Sequence, residues 1–278
     1  MSIFRSLLFA PGNHPRRTEK AFQLNADAVI LDLEDACPVA EKVATRDVVV
    51  AALQAPRNCK GYVRINPITT EFAFGDTLAV VRKGVDGLIV PKIETADELK
   101  TIDWLVGQVE REQGLPVGSL DIIPIIETGL GLANVATIAA AKTRIRRLSF
   151  GAGDFTLDMN ISWIPDELEF LPYRSAVVLA SRAAGLEPPF DTVWIDLRNK
   201  EGFIQSIQRI KNMGFQGKLC IHPDQVARPG GSCERCLHAY PRTSGPRTSN
   251  RRCIRGSGIV RFSGYPTRRT VHRLSHSL

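Results

Sequence analysis

What this sequence lacks narrows the possibilities first. No segment approaches the roughly 18 to 20 consecutive apolar residues that span a bilayer, so no membrane partner is expected. The opening MSIFRSLLFAPG holds too short an apolar run for a secretory signal, which implies a soluble, cytoplasmic protein. Neither G-x-G-x-x-G nor a P-loop follows the first apolar run, where APGNHP stands instead. A doubly wound nucleotide-binding sheet thereby loses its usual mark. Beyond Ala227 there is no lysine and one acid, Glu234, against eleven arginines.

That imbalance accounts for the whole basic excess. Residues 228–278 carry a net +10, while residues 1–227 hold 25 basic and 28 acidic groups, a net −3. Attraction to nucleic acid would therefore concern the tail alone. The tail has no aromatic platform or recognised nucleic-acid motif, so no nucleic-acid partner is expected. It is rich in Gly, Pro, Ser, Thr and Arg and has no 3.6-residue apolar period, a composition expected to stay irregular or disordered. A shifted reading frame of a GC-rich gene, or an equivalent assembly error, would produce such a segment. Its CERC, with His238 and Cys253, lacks the second tightly spaced ligand pair of a zinc ribbon. The scattered Cys37, Cys59 and Cys220 are expected to be free thiols.

What is present is a repeating pattern. Short runs rich in Val, Ile and Leu recur at SLLFAPG (6–12), AVILDLED (28–35), GYVRIN (61–66) and GLIVPKI (87–93). They continue at DIIPIIET (121–128), RLSFGAGD (147–154), TVWID (192–196) and KLCIHP (218–223), with helix-like stretches between. Near-continuous apolar strands alternating with helices indicate a parallel sheet covered on both faces. Eight such units predict a (β/α)8 TIM barrel over residues 1–227, followed by the atypical basic tail over 228–278.

In a barrel the chemistry sits at the C-terminal strand ends, and here most of those ends are charged. Strand two ends in Asp32, Glu34 and Asp35; strand three carries Arg64; strand four ends in Lys92 and Glu94. Strand five ends in Glu127, strand six in Asp154, and strand eight at His222. Glu127 and Asp154 are hard oxygen donors suited to Mg2+, with helix-terminal roles as the alternative for each. Arg64 either clamps a substrate carboxylate through two parallel hydrogen bonds or forms a structural bridge to Asp32 or Glu34. Lys92 reads as the ion-pair partner of a neighbouring acid, with a Schiff-base role as the alternative.

Taken together, RSLLFAPG (5–12), VILDLEDA (29–36), VRIN (63–66), VPKIE (90–94), PIIETGLGL (124–132), SFGAGDFTLDM (149–159) and CIHPDQV (220–226) resemble the HpcH/HpaI aldolase and citrate lyase β-subunit family, which includes malyl-CoA and citramalyl-CoA lyases. The resemblance implies a Mg2+-dependent lyase that cleaves a carbon–carbon bond of a 3-hydroxyacyl thioester, giving an acetyl thioester and a 2-oxo acid. The thioester is of coenzyme A or of an acyl-carrier-protein group. Glu127 and Asp154 match the family's metal carboxylates, Arg64 its substrate arginine, and the acids of DLED (Asp32, Glu34 and Asp35) the group that holds metal-bound water, with a structural role as the alternative for Asp32. Phe9, Lys20 and the backbone of Ile221 and His222 match the region that seats coenzyme A; His14 stands where some members have arginine. The family also implies a homo-oligomer, commonly a trimer, in which a C-terminal lid from a neighbouring subunit brings an Asp for proton transfer. The Arg-rich tail matches nothing in that lid, so an impaired member that binds metal and oxo acid without turnover is the alternative.

Overall fold

The structure, a computed structural model, describes residues 4–226. The expected irregular tail, its CERC segment and the region where a lid would begin lie outside the described residues. Eight parallel strands close on themselves in chain order: β1 (Ser6–Pro11), β2 (Ala28–Asp32), β3 (Lys60–Arg64), β4 (Gly87–Val90), β5 (Asp121–Ile126), β6 (Ser149–Phe150), β7 (Phe190–Asp191) and β8 (Gly217–Cys220). The helices are α1 (Pro15–Phe22), α2 (Lys42–Gln54), α3 (Phe72–Val80), α4 (Ala96–Glu112), α5 (Gly129–Ala133), α6 (Val135–Ala139), α7 (Ala152–Asp158), α8 (Leu171–Ala183) and α9 (Lys200–Met213). The protein is thus a (β/α)8 barrel, as the alternation of patterns predicts. No helix among the described residues is long and apolar enough to cross a membrane. Cys37, Cys59 and Cys220 are free thiols.

Local sequence explains where the helices start and stop. Thr95 caps α4 by accepting the Glu98 N–H, while Glu98 accepts the Thr95 N–H in return, satisfying two otherwise orphaned donors. Asn199 caps α9, and Gly214 ends it at φ +103°, a left-handed conformation that favours glycine.

The seventh strand falls elsewhere than the sequence suggests. TVWID (192–196) is not a strand; the pairing residues are Phe190 and Asp191, just upstream. Asp191 resembles a turn residue in sequence, but here it is fully buried between β7, β8 and α8. Arg174 donates to it through Nε at 2.7 Å, and Lys218 Nζ pairs with its other oxygen. Burial opposes its ionisation, but Arg174 and Lys218 outweigh that and hold its pKa below the ordinary aspartate value.

Period-two alternation divides the strand residues into two layers. Leu7, Ile30, Tyr62, Ile89, Ile123, Ile125, Phe190 and Leu219 pack into one cluster, the filled interior of the barrel. Their neighbours Leu8, Val29, Leu31, Val63, Leu88 and Ile122 face the helices. At the N-terminal end the interior is closed by Phe4, stacked on Phe190, with the Arg147 guanidinium over both rings. The same alternation carried one step further places Asp32, Arg64 and Glu127 above Ile30, Tyr62 and Ile125, at the C-terminal mouth.

Candidate active site

Asp32 and Arg64 are register partners on β2 and β3. Arg64 Nε and Nη2 donate to the two Asp32 oxygens at 2.7 and 2.6 Å, a bidentate pair. Asp32 also accepts the backbone N–H groups of Glu34 and Ala36, at 2.9 and 3.0 Å. Burial opposes ionisation of Asp32, but Arg64 and these donors bring its pKa below the ordinary value. Of the two readings of the Arg64 fork, the bridge to Asp32 is the one observed, because adjacent strands in register point both side chains into the mouth. What remains for a ligand is Nη1, 2.7 Å from Glu34 Oε2 without hydrogen-bond alignment and 3.4 Å from Asp35. The Phe9 ring lies under the guanidinium, 4.8 Å from its carbon.

On the other side of the mouth, Lys92 Nζ is 2.7 Å from Glu34 Oε1 and 2.8 Å from Asp154 Oδ2. Of the two sequence readings of Lys92, the ion pair is the one observed. Burial works against its charge, yet the bonds to Asp154 and Glu34 raise its pKa above the ordinary lysine value. Its backbone is left-handed at φ +51°, and its N–H donates to Glu127 Oε1 at 2.9 Å.

Glu127 follows β5 and precedes Thr128, the N-cap of α5, so it lies outside the helix's first turn. It is 5% exposed. Burial, then repulsion by Glu34 and Asp154, pushes its carboxyl up to about 8, against the pull of Arg64 and Lys92. Glu34 is raised too, by burial first, despite Arg64 and Lys92. Gly151 makes room for Glu127: a Cβ there would stand 2.6 Å from Glu127 Oε2 and 2.8 Å from its Cβ. Asp154 lies in the first turn of α7.

The acids fit a divalent cation. One ligand oxygen each from Glu34, Asp35 and Asp154 falls within a 4.8 Å set, all hard donors of the type Mg2+ takes. Glu127 stands beside that set, coupled to it by charge repulsion. A cationic group already sits between Glu34 and Asp154, the Lys92 ammonium.

The other expected residues divide. Phe9 is in the site. His14 and Lys20 are exposed on α1's N-cap and last turn, and neither has a side-chain hydrogen bond or ion pair with the cluster. Ile221 and His222 lie past the end of β8, with both N–H groups turned onto Gln225 Oε1. Lys42 shapes the site without a signal in the sequence, while Asn66, the polar end of the third strand run, does so where the pattern of strand ends puts it. Lys42 Nζ donates to the carbonyls of Leu33 and Glu34 at 2.9 and 2.6 Å, and Asn66 to that of Leu33 at 3.1 Å, fixing the acidic turn from behind. Only the fold brings α2 under that turn.

Acids, an arginine and a lysine converging at the C-terminal mouth of a closed (β/α)8 barrel define an enzyme of the barrel class. The chain belongs to the HpcH/HpaI aldolase/citrate lyase family, which it matches over residues 5–223. It is 38% identical over 224 residues to a citrate lyase subunit beta of Leuconostoc mesenteroides subsp. cremoris, covering 80% of this chain and 74% of that one. A (3S)-malyl-CoA thioesterase of Cereibacter sphaeroides is 33% identical over 225 residues, again 80% and 74% of the two chains. Among solved structures, protein CitE from Mycobacterium tuberculosis in complex with magnesium, acetoacetate and coenzyme A aligns with a TM-score of 0.69 and 28% identity, covering 86% of this chain and 82% of that one.

Proposed function

We propose that the protein is a Mg2+-dependent oxo-acid lyase. It cleaves the carbon–carbon bond of a 3-hydroxyacyl thioester (citramalyl, malyl or citryl) to an acetyl thioester and a 2-oxo acid. The observation that carries this reading is the convergence of Glu127, Asp154, Glu34 and Asp35 around Arg64 at the mouth. The relative bound to magnesium, acetoacetate and coenzyme A supports it.

Glu127 and Asp154 hold the ion in this reading, with Glu34 and Asp35 in reach of its water. When bound, the ion supplies Lewis-acid polarisation of the substrate oxygen that becomes the 2-oxo group. Arg64 Nη1 orients the acid and stabilises negative charge on that oxygen, while Asp32 fixes the guanidinium plane. Phe9 packs against that plane. His14, Lys20, Ile221 and His222 are assigned to the thioester carrier, either coenzyme A or an acyl-carrier-protein group, by the resemblance alone. A homotrimer and a cytoplasmic location belong to the same reading.

The test is calorimetric titration of Mg2+ with oxaloacetate or pyruvate into wild type and Glu127→Ala. Binding that vanishes in the variant supports the site. No binding to folded wild type leaves the family fold without this function.

A second reading has its own observation: the family match ends at residue 223, and the sequence from 228 onward offers Glu234 as its only acid. In it the protein binds metal and oxo acid but turns over weakly, since the group that protonates the released enolate is missing. Thioester cleavage assayed beside binding separates the two readings. Resequencing codons 220–235 tests whether a shifted frame wrote residues 228–278.

A further inference from the structure

Five carboxyl groups, those of Asp32, Glu34, Asp35, Glu127 and Asp154, share the mouth with two cations, and the two cations are held differently. Arg64 is 11% exposed and bonded through its fork to Asp32. The Lys92 side chain is 32% exposed and is held at its tip by Glu34 and Asp154. Its anchor is in the backbone, where the N–H bonds Glu127 and the chain adopts φ +51°. The ammonium can therefore leave the two acids by rotation about a flexible four-carbon stem, with no movement of its Cα.

The position matters as much as the freedom. Nζ stands in contact with Glu34 and Asp154, two of the three carboxylates whose oxygens form the tight ligand set. An ion held by Glu127 and Asp154, with its water at Glu34, would lie about 2.0–2.1 Å from an Asp154 oxygen, so ammonium and ion compete for the Asp154 carboxylate and for the space beside Glu34. Glu34 Oε2 is ion-paired with Arg64 Nη1 at 2.7 Å, so that carboxylate keeps a cationic partner when the ammonium leaves.

We propose that Lys92 is a tethered counter-ion of the metal-free site: its ammonium holds Glu34 and Asp154 together and yields its place to an arriving divalent cation. The proposal rests on the metal site of the lyase reading. Lys92 is a positioning residue in this account, because it acts through the carboxylates. It keeps like charges from driving the empty mouth apart, and it weakens metal binding by the work of its own displacement.

The two effects have opposite signs in a charge-removing variant, which a merely structural lysine does not give. Full-length wild type and Lys92→Met are compared by calorimetric titration with Mn2+ at one fixed pH and by thermal unfolding with and without the ion. The metal-free variant is expected to melt several degrees lower and to bind Mn2+ at least about tenfold more tightly, the loss of a unit charge a few ångströms away being ample for that factor. Saturating Mn2+ then closes the gap in melting temperature. Lys92→Arg, which keeps the charge, should restore the metal-free melting temperature and the wild-type affinity. Unchanged or weaker Mn2+ binding by Lys92→Met, with wild type binding normally, overturns the counter-ion role and leaves the lyase reading standing. Absence of Mn2+ binding by wild type overturns both. If Lys92→Met does not fold, Lys92→Gln, neutral but still a donor, carries the same expectations.

Discussion

Asp32 and Arg64 face one another across β2 and β3, and both edge donors of the guanidinium go to that one carboxylate. Asp32 is thereby the residue that sets the plane of the arginine. Asp32→Asn should destabilise the fold toward the lower end of the ~3–5 kcal/mol typical of breaking a buried pair, because Glu34 and Asp35 remain beside the guanidinium. Urea unfolding measures that loss. Oxo-acid binding should weaken in the same variant, since Arg64 loses its orientation.

Glu127 supplies a pH dependence with a defined sign. Its pKa in the folded protein is raised from 4.5 to about 8, by burial and then by its acidic neighbours. The folded state therefore keeps a proton that the unfolded chain releases. The stabilisation is complete below pH 4.5 and is lost as pH rises to about 8. Melting temperatures of metal-free wild type should fall across that window relative to Glu127→Gln, which cannot titrate there. If the difference between the two proteins is flat with pH, the assignment fails.

Gly151→Ala tests the room given to Glu127. The new Cβ would meet Glu127 Oε2 at 2.6 Å and Ile125 Cγ2 at 2.8 Å. Overpacking of this kind costs about 1–3 kcal/mol. Divalent-cation affinity should fall by about tenfold or more, in line with displaced supports at metal sites. Titration and thermal unfolding of the same sample separate the two effects.

The buried ion group at β7 and β8 should behave as scaffold only. Asp191→Asn takes the acid from the buried Lys218 ammonium and leaves Arg174 with Glu167 alone, at a cost of about 3–5 kcal/mol. Metal affinity in the folded fraction should match wild type. A change in affinity comparable to that of Gly151→Ala would tie this group to the mouth.

These sites differ in how readable they are from sequence. The runs containing β2 to β5 announce themselves because strands buried on both faces are almost continuously aliphatic, and period-two counting then puts Asp32, Arg64 and Glu127 on the interior side. Strand β7 escapes because it is two residues long, follows Pro188 and Pro189, and spends one position on Asp191, whose burial depends on Arg174 and Lys218 from distant segments. Arg64's commitment to Asp32 over a substrate depends on register, and register is a property of the closed barrel. Lys92 could be recognised in sequence as a partner for some acid. Its place between Glu34 and Asp154 requires strand ends β2, β4 and β6 to meet.

Among the described residues, an aliphatic floor beneath the acids closes the barrel below its C-terminal mouth. Leu7, Ile30, Ile89, Ile123 and Leu219 fill the shaft, and Phe4 with Arg147 seals its far end. In the lyase reading a cation reaching Glu127, a proton leaving that carboxyl and an acid substrate would all use the C-terminal mouth. Traffic of all three would be set at that rim, and covering it would stop them together.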